Sequence, residues 1–171
     1  TAGEITVRNV SMLSKQADTA ICTALVRAGA AVINDEDSVT ASHRPLRAFE
    51  FDATHCPDLF PALAALAAAA QGESVIRGTS RLEHKECNRA DAIREEYAKA
   101  GIEVDISQED VMRIRGGKIR PARVSSHDDH RMAMSMAVAG LLSDGEMTIE
   151  DAECVAKSYP GFFEDLEKIR I

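Results

Sequence analysis

The side chains with the most chemistry fall into four short groups. Lys85, Glu86 and Arg89 stand together in His84-Lys85-Glu86-Cys87-Asn88-Arg89, just ahead of an amphipathic stretch. Asp58 follows Pro57 at the head of one apolar run, and Arg131 follows Asp129-His130 at the head of another. Lys157 lies in Ala156-Lys157-Ser158-Tyr159-Pro160. The start of a helix has unpaired backbone N–H groups and a positive dipole end, so it favours anions. An arginine placed there weakens the helix but grips phosphate or carboxylate with two parallel hydrogen bonds. A carboxylate held among such cations can move protons. Taken singly, two of these groups have plainer explanations, Asp58 as a first-turn acid and Lys85, Glu86 and Arg89 as a solvated charge cluster; Arg131 has a weaker one, since its charge is unfavourable at a helix start unless an anion binds there.

Spacing ties the groups together. Three Gly-Glu pairs open β-branched runs at Gly3, Gly72 and Gly145, and a lysine follows each at an offset of 12, 13 or 12 residues: Lys15, Lys85 and Lys157. Asp58 and Arg131 each lie 14 residues before the next Gly-Glu pair. Starts separated by 69 and 73 residues mark one supersecondary unit used three times, with approximate divisions 1–56, 57–128 and 129–171. The register predicts that Asp58, Arg131, Lys85 and Lys157 occupy corresponding ends of their units and converge on one anionic ligand.

The elements that must position them read as strand, amphipathic helix, two short strands, then a more apolar helix. Strands are expected at 5–8, 31–34, 38–41, 75–77, near 104 and at 111–115, with the Asp35-Glu36-Asp37 turn closing a hairpin. Helices are expected at 17–28 and 89–100, stopped by Gly29 and Gly101, and at 161–169 with Phe162, Leu166 and Ile169 on one face. The runs 59–70 and 132–142 are apolar nearly all round, which predicts interior helices. Interior helices with strands outside them give an α/β (α+β) fold, an inside-out barrel of three βαβαββ-type units in a single domain over 1–171.

Several functions are disfavoured. A net charge of −8 argues against nucleic-acid binding by bulk electrostatics. The longest apolar run has 12 residues and contains Pro61, short of the roughly 18 that a membrane helix needs. Cys22, Cys56, Cys87 and Cys154 are widely spaced with no CxxC pair, which points to reduced thiols in a cytoplasmic protein. His127-Asp128-Asp129-His130 offers metal-ligand types, but four adjacent residues cannot all turn toward one ion, and no metal site is expected. Gly116-Gly117 reads as a hairpin turn, since no phosphate-loop or nucleophile-elbow pattern is present. A first residue Thr1 running almost at once into a strand fits a piece of a longer protein.

Four motifs together resemble the C-terminal part of the EPSP synthase (3-phosphoshikimate 1-carboxyvinyltransferase) family. They are Pro57-Asp58 before an alanine-rich helix, Lys85-Glu86-x-Asn88-Arg89, Asp129-His130-Arg131-Met132-Ala133-Met134, and Ala156-Lys157-Ser158-Tyr159-Pro160 with Phe163 and Leu166. The resemblance implies transfer of the enolpyruvyl group of phosphoenolpyruvate to the 5-hydroxyl of shikimate 3-phosphate, in aromatic amino-acid biosynthesis, with no metal or organic cofactor. It implies Asp58 as the base for the hydroxyl, and Lys85 as a ligand of shikimate 3-phosphate that assists proton traffic. Glu86 is then the acid for the phosphoenolpyruvate methylene, and Arg89, Arg131 and Lys157 grip the phosphoenolpyruvate anion. It also implies a partner: the N-terminal domain of the same enzyme, which completes the cleft, so that the isolated chain folds but has negligible turnover. Asn88 departs from the family's usual aspartate and leaves the orientation of Arg89 open. Two other readings stand beside this one: a UDP-N-acetylglucosamine 1-carboxyvinyltransferase domain, and a noncatalytic anion-binding module.

Overall fold

The computed structural model describes residues 3–10, 14–83 and 85–169; Thr1 and His84 lie outside this set. Three sheets follow one another along the chain. The first joins β1 (Glu4–Arg8), β3 (Ser38–Ser42) and β2 (Ala31–Asn34) in antiparallel order β1-β3-β2. The expected hairpin is there, with the Asp35 N–H donating to the Ser38 carbonyl across the turn. Between β1 and β2 runs a 3-10 turn at Ala17–Ala20 and α1 (Ile21–Arg27), ended at Gly29, whose φ of +96° suits a residue without a Cβ.

The second sheet has order β4-β5-β7-β6, formed by β4 (Glu50–Asp52), β5 (Gly72–Arg77), β7 (Val111–Gly116) and β6 (Glu103–Asp105). β4 and β5 are parallel and are linked by α2 (Phe60–Ala69), while α3 (Arg89–Lys99) links β5 to β6. The third sheet is a parallel pair, β8 (Ala122–Ser125) and β9 (Met147–Glu150), linked by α4 (His130–Gly140); α5 (Phe162–Ile169) follows.

β4 and β8 are additions to the sequence expectation. Each is only three or four residues long with one deeply buried side chain, Phe51 and Val124, too short for a strand period to stand out in the sequence. They shift the meaning of the repeat. A strand pairs in parallel with the Gly-Glu strand that follows it, so the divisions expected at 57 and 129 fall between paired strands. The second unit then reads βαβαββ in full.

α2 carries nine alanine, leucine or phenylalanine side chains with almost no amphipathic bias, and Phe60, Leu63, Ala64, Ala67 and Ala68 are fully buried. It packs on α4 and on the second sheet. α4 differs from its expectation in two ways. It starts at His130, two residues early, because the Asp129 carboxylate accepts from the Arg131 N–H and caps the helix. It also leaves Val138 44% exposed, so its burial is one-sided. α5 places its apolar residues on one face, but none of its side chains is fully buried.

Gly116-Gly117 is not a hairpin turn. Gly116 ends β7 opposite Gly72, and a Cβ on it would collide with the carbonyls of Ala67 and Ala70 at the end of α2. The glycine permits the close approach of strand to helix, and the Gly117 N–H donates to the Ala68 carbonyl. Among the described residues no helix is long and apolar enough to cross a membrane. None of the four cysteines forms a disulfide.

Candidate active site

Three helix starts bring the predicted residues together. Asp58 stands in the 3-10 turn Pro57–Leu59 that leads into α2. Arg89 is the first residue of α3, and Arg131 the second of α4. The Asp58 carboxylate is the meeting point. Its Oδ1 accepts from Arg89 Nη1 at 2.6 Å and lies 3.0 Å from Lys85 Nζ. Its Oδ2 lies 3.4 Å from Arg131 Nη2. Partial burial works against the ionised carboxylate, but hydrogen bonds from Lys85 and Arg89 and the Arg131 charge outweigh it, holding the pKa at about 2 against an ordinary 3.8.

That shift fixes a sign. A carboxylate whose folded pKa is depressed contributes stability that is present above the ordinary value and lost as protons bind. The stability contributed by Asp58 is therefore complete above about pH 4 and is lost between about pH 4 and 2. Asp58→Asn should flatten the dependence of the urea midpoint on pH within that window and leave its slope near neutrality unchanged. An unaltered acid limb in the variant would contradict this assignment.

Arg89 is the hub. Its side chain is 0% exposed, and three carboxylates surround it. Nε donates to Asp129 Oδ2 at 2.6 Å, Nη1 to Asp58 and Nη2 to Glu86 Oε2 at 2.6 Å. Burial works against its charge, but Asp129, Asp58 and Glu86 outweigh it and raise its pKa. Asp129 is wholly buried, whereas the side chains of Asp58 and Glu86 are 35% and 37% exposed. An incoming anion can therefore compete for Arg89 from the Glu86 side only by displacing that carboxylate. The Asn88 side chain hydrogen-bonds to Asp91. It caps α3, accepting from the Asp91 N–H and donating to the Asp91 carboxylate at 2.6 Å. The departure from the family pattern thus leaves the orientation of Arg89 fixed by the three acids.

Lys157 does not join the cluster around Asp58. Its Nζ is bound to Asp128, at 2.7 Å to the carbonyl and 2.6 Å to Oδ1. It is linked to the hub through the turn, since Asp128 precedes the Asp129 that holds Arg89. Lys15 is exposed before α1 and takes no comparable place.

Three contributors were not anticipated. Asp129 and Asp18 flank the arginines, Asp18 Oδ2 lying 3.7 Å from Arg131 Nη1. The third is His130, whose Nδ1 is buried without a hydrogen-bond partner, 3.9 Å from Glu86 Oε1. An acid two residues before an arginine at a helix start was a readable signal for Asp129. Asp18 had none, because it comes from another unit. His127 and His130 diverge, one toward Glu96 and the other toward Glu86; Asp129 and His130 bring ligand atoms within 4.8 Å of Glu86, and His127 does the same with Glu95 and Glu96. Cys87 lies beside Asp129, and burial and that carboxylate push its thiol up to about 11, so it is not a thiolate nucleophile near neutrality.

Three sheets, the packed pair α2 and α4, and acids set among cations at the helix starts define an α/β domain with one concentrated ionic cluster. The sequence matches the family described as EPSP synthase (3-phosphoshikimate 1-carboxyvinyltransferase) over residues 1–166. The chain belongs to the EPSP synthase family. A 3-phosphoshikimate 1-carboxyvinyltransferase of Methanocella arvoryzae is 42% identical over 171 residues, covering 99% of this chain and 40% of the relative. One from Thermococcus kodakarensis is 41% identical over 167 residues, covering 98% of this chain and 41% of the relative. The solved EPSP synthase of Acinetobacter baumannii superposes with a TM-score of 0.85 at 28% identity, over 98% of this chain and 42% of that one. The enolpyruvyl transferase NikO of Streptomyces tendae shares the fold, with a TM-score of 0.72 at 24% identity over 98% of this chain and 38% of that one. The chain spans about 40% of the length of the curated relatives it matches.

Proposed function

We propose that this chain is most of the C-terminal domain of a 3-phosphoshikimate 1-carboxyvinyltransferase and carries the proton-transfer and anion-gripping half of its site. The observation that carries the reading is the convergence of Lys85, Arg89 and Arg131 on Asp58, with Glu86 parked on Arg89. The substrates are phosphoenolpyruvate and shikimate 3-phosphate, and the enzyme is cytoplasmic.

The residues divide the work as follows. Arg131 and Lys157 grip the phosphoenolpyruvate anion, and Arg89 joins them once Glu86 is displaced. Lys85 takes the anionic shikimate substrate. A carboxylate held at about 2 is too weak a base for a hydroxyl. Anions that draw Lys85 and Arg131 away from Asp58 raise its pKa, so binding of the substrates switches the base on. Asp58 takes the proton of the 5-hydroxyl as the oxygen attacks C2 of phosphoenolpyruvate. Glu86, released from Arg89, takes up a proton and delivers it to C3, making a methyl group in a tetrahedral adduct. The Glu86 carboxylate then takes back one methyl proton while phosphate leaves with the proton held by Asp58, which yields the enol ether. The His130 nitrogen faces Glu86 and offers it a proton-exchange partner.

The remaining length of the relatives supplies the other wall of the cleft. A groove of about 260 Å³ between α2 and α4, with Asp58 and Arg131 at its rim and Ala62, Met134 and Val138 along it, is open to such a neighbour. Full-length enzyme should release phosphate from the substrate pair, and residues 1–171 alone should not. Turnover by the isolated chain at rates near those of the full-length enzyme would overturn the division of labour.

A further inference from the structure

Glu96 and His127 lie outside the cluster around Asp58, and none of the steps above uses them. Glu96 is on α3, seven residues after Arg89, and its side chain is 1% exposed. Its carboxylate meets His127 Nε2 at 2.7 Å, Lys99 Nζ at 2.7 Å and the Ser125 N–H at 2.9 Å. Burial opposes its charge, but Lys99, Ser125 and His127 outweigh that and hold its pKa below the ordinary value.

The turn that this carboxylate holds is strained. His127 and Asp128 have φ of 53° and 56°, left-handed values that side chains avoid, and two in succession persist only where the surroundings over-determine them. Within the turn, Ser125 Oγ accepts from the His127 N–H at 3.0 Å and Ser126 Oγ from the Asp128 N–H at 3.1 Å. On its other side the turn faces the site. Asp128 binds Lys157, Asp129 binds Arg89, and Asp129 also caps α4 at the Arg131 N–H. All three cations assigned to phosphoenolpyruvate thus depend on this turn. α3 grasps it at two points, with Arg89 on Asp129 and Glu96 on Ser125 and His127.

We propose that Glu96 and His127 are positioning residues for the phosphoenolpyruvate grip, locking the 125–129 turn so that Lys157, Arg89 and Arg131 meet the anion together. The identity of the anion rests on the carboxyvinyl-transfer reading above. The positioning claim rests on the turn. A purely structural pair would only staple α3 to β8.

His127→Gly in the full-length enzyme separates the two roles, because glycine suits the left-handed turn while deleting the imidazole. The KM for phosphoenolpyruvate should rise about tenfold, as misplacing a binding group does. The kcat should stay within about threefold, the pattern of lost uniform binding. The KM for shikimate 3-phosphate should change by no more than a few-fold, since Lys85 and Asp58 reach the turn only through Arg89 and Arg131. His127→Asn, which tolerates a left-handed φ and offers Glu96 an N–H, should recover part of the loss. Glu96→Gln should raise the same KM and add little on top of His127→Gly. An unchanged phosphoenolpyruvate KM in both single variants, or a parallel rise for both substrates with a falling Tm, overturns the proposal. If unmodified enzyme does not turn these substrates over, it is the functional reading that has failed. Calorimetric titration with phosphoenolpyruvate then carries the comparison: about tenfold weaker binding to His127→Gly supports the positioning role, and equal affinity refutes it.

Discussion

Glu86→Gln in the full-length enzyme is expected to lower kcat by about 10²–10⁴, the usual worth of a positioned general acid, while the KM for phosphoenolpyruvate changes only a few-fold. Glutamine keeps the shape and can still accept from Arg89 through its carbonyl oxygen. It has no proton to give to a carbon. The reason to expect so large an effect is the position of Glu86, exposed enough to leave Arg89 and flanked by the unpartnered His130 nitrogen. Steady-state kinetics on purified variant and unmodified enzyme would decide it. A kcat within a few-fold of the unmodified value would return Glu86 to the role of a solvated charge.

Arg89→Met is expected to cost about 3–5 kcal/mol of folding stability, because it leaves buried carboxylate charge without its partner. Asp129 suffers most: it is 0% exposed, and Arg89 Nε and Nη2 lie 2.6 and 3.4 Å from its oxygens. Against a typical total of about 5–15 kcal/mol, that loss threatens the fold itself. Arg89→Lys keeps the charge but not the planar fork that spans three carboxylates, and should fall between the two. Pairing Arg89→Met with Asp129→Leu removes the stranded charge and should recover part of the loss. Urea unfolding of the four proteins measures this directly. A cost below about 1 kcal/mol for Arg89→Met would mean that the hub is no more than a surface pair.

The sequence made the site legible where chemistry followed local rules. Asp58 and Arg131 were found because both open apolar helices at the same distance from a Gly-Glu strand, and the helix starts did converge. Lys85, Glu86 and Arg89 were found because a compact charged run preceded an amphipathic helix. What stayed hidden was set by tertiary contact. β4 and β8 carry too few buried side chains to betray a strand, so the parallel pairing that completes a unit was missed. Gly116 looked like a turn glycine because nothing local shows that the end of α2 presses on its backbone. Lys157 was expected to meet the same anion as Lys85 and the arginines, and the left-handed 125–129 turn holds it through Asp128 rather than near Asp58. No residue type in that turn announces such a backbone.

The charge balance carries a mechanistic point. The cations do not wait bare for an anion: Asp58, Glu86, Asp129, Asp18 and Asp128 already hold them. On the proposed reading, substrate anions exchange with these carboxylates and each exchange frees a proton acceptor where it is needed, so that the same few salt bridges couple binding to proton transfer.

Deuterium transfer to carbon tests this account most directly. Full-length enzyme given phosphoenolpyruvate and shikimate 3-phosphate in D₂O should place deuterium in the vinyl CH₂ of the product, because Glu86 protonates C3 and the resulting methyl group then loses one of its three hydrogens. Glu86→Gln should slow that incorporation in step with its loss of turnover. Product formed at full rate with no deuterium in its CH₂ would contradict protonation at C3, and with it the role given to the Asp58–Arg89–Glu86 cluster.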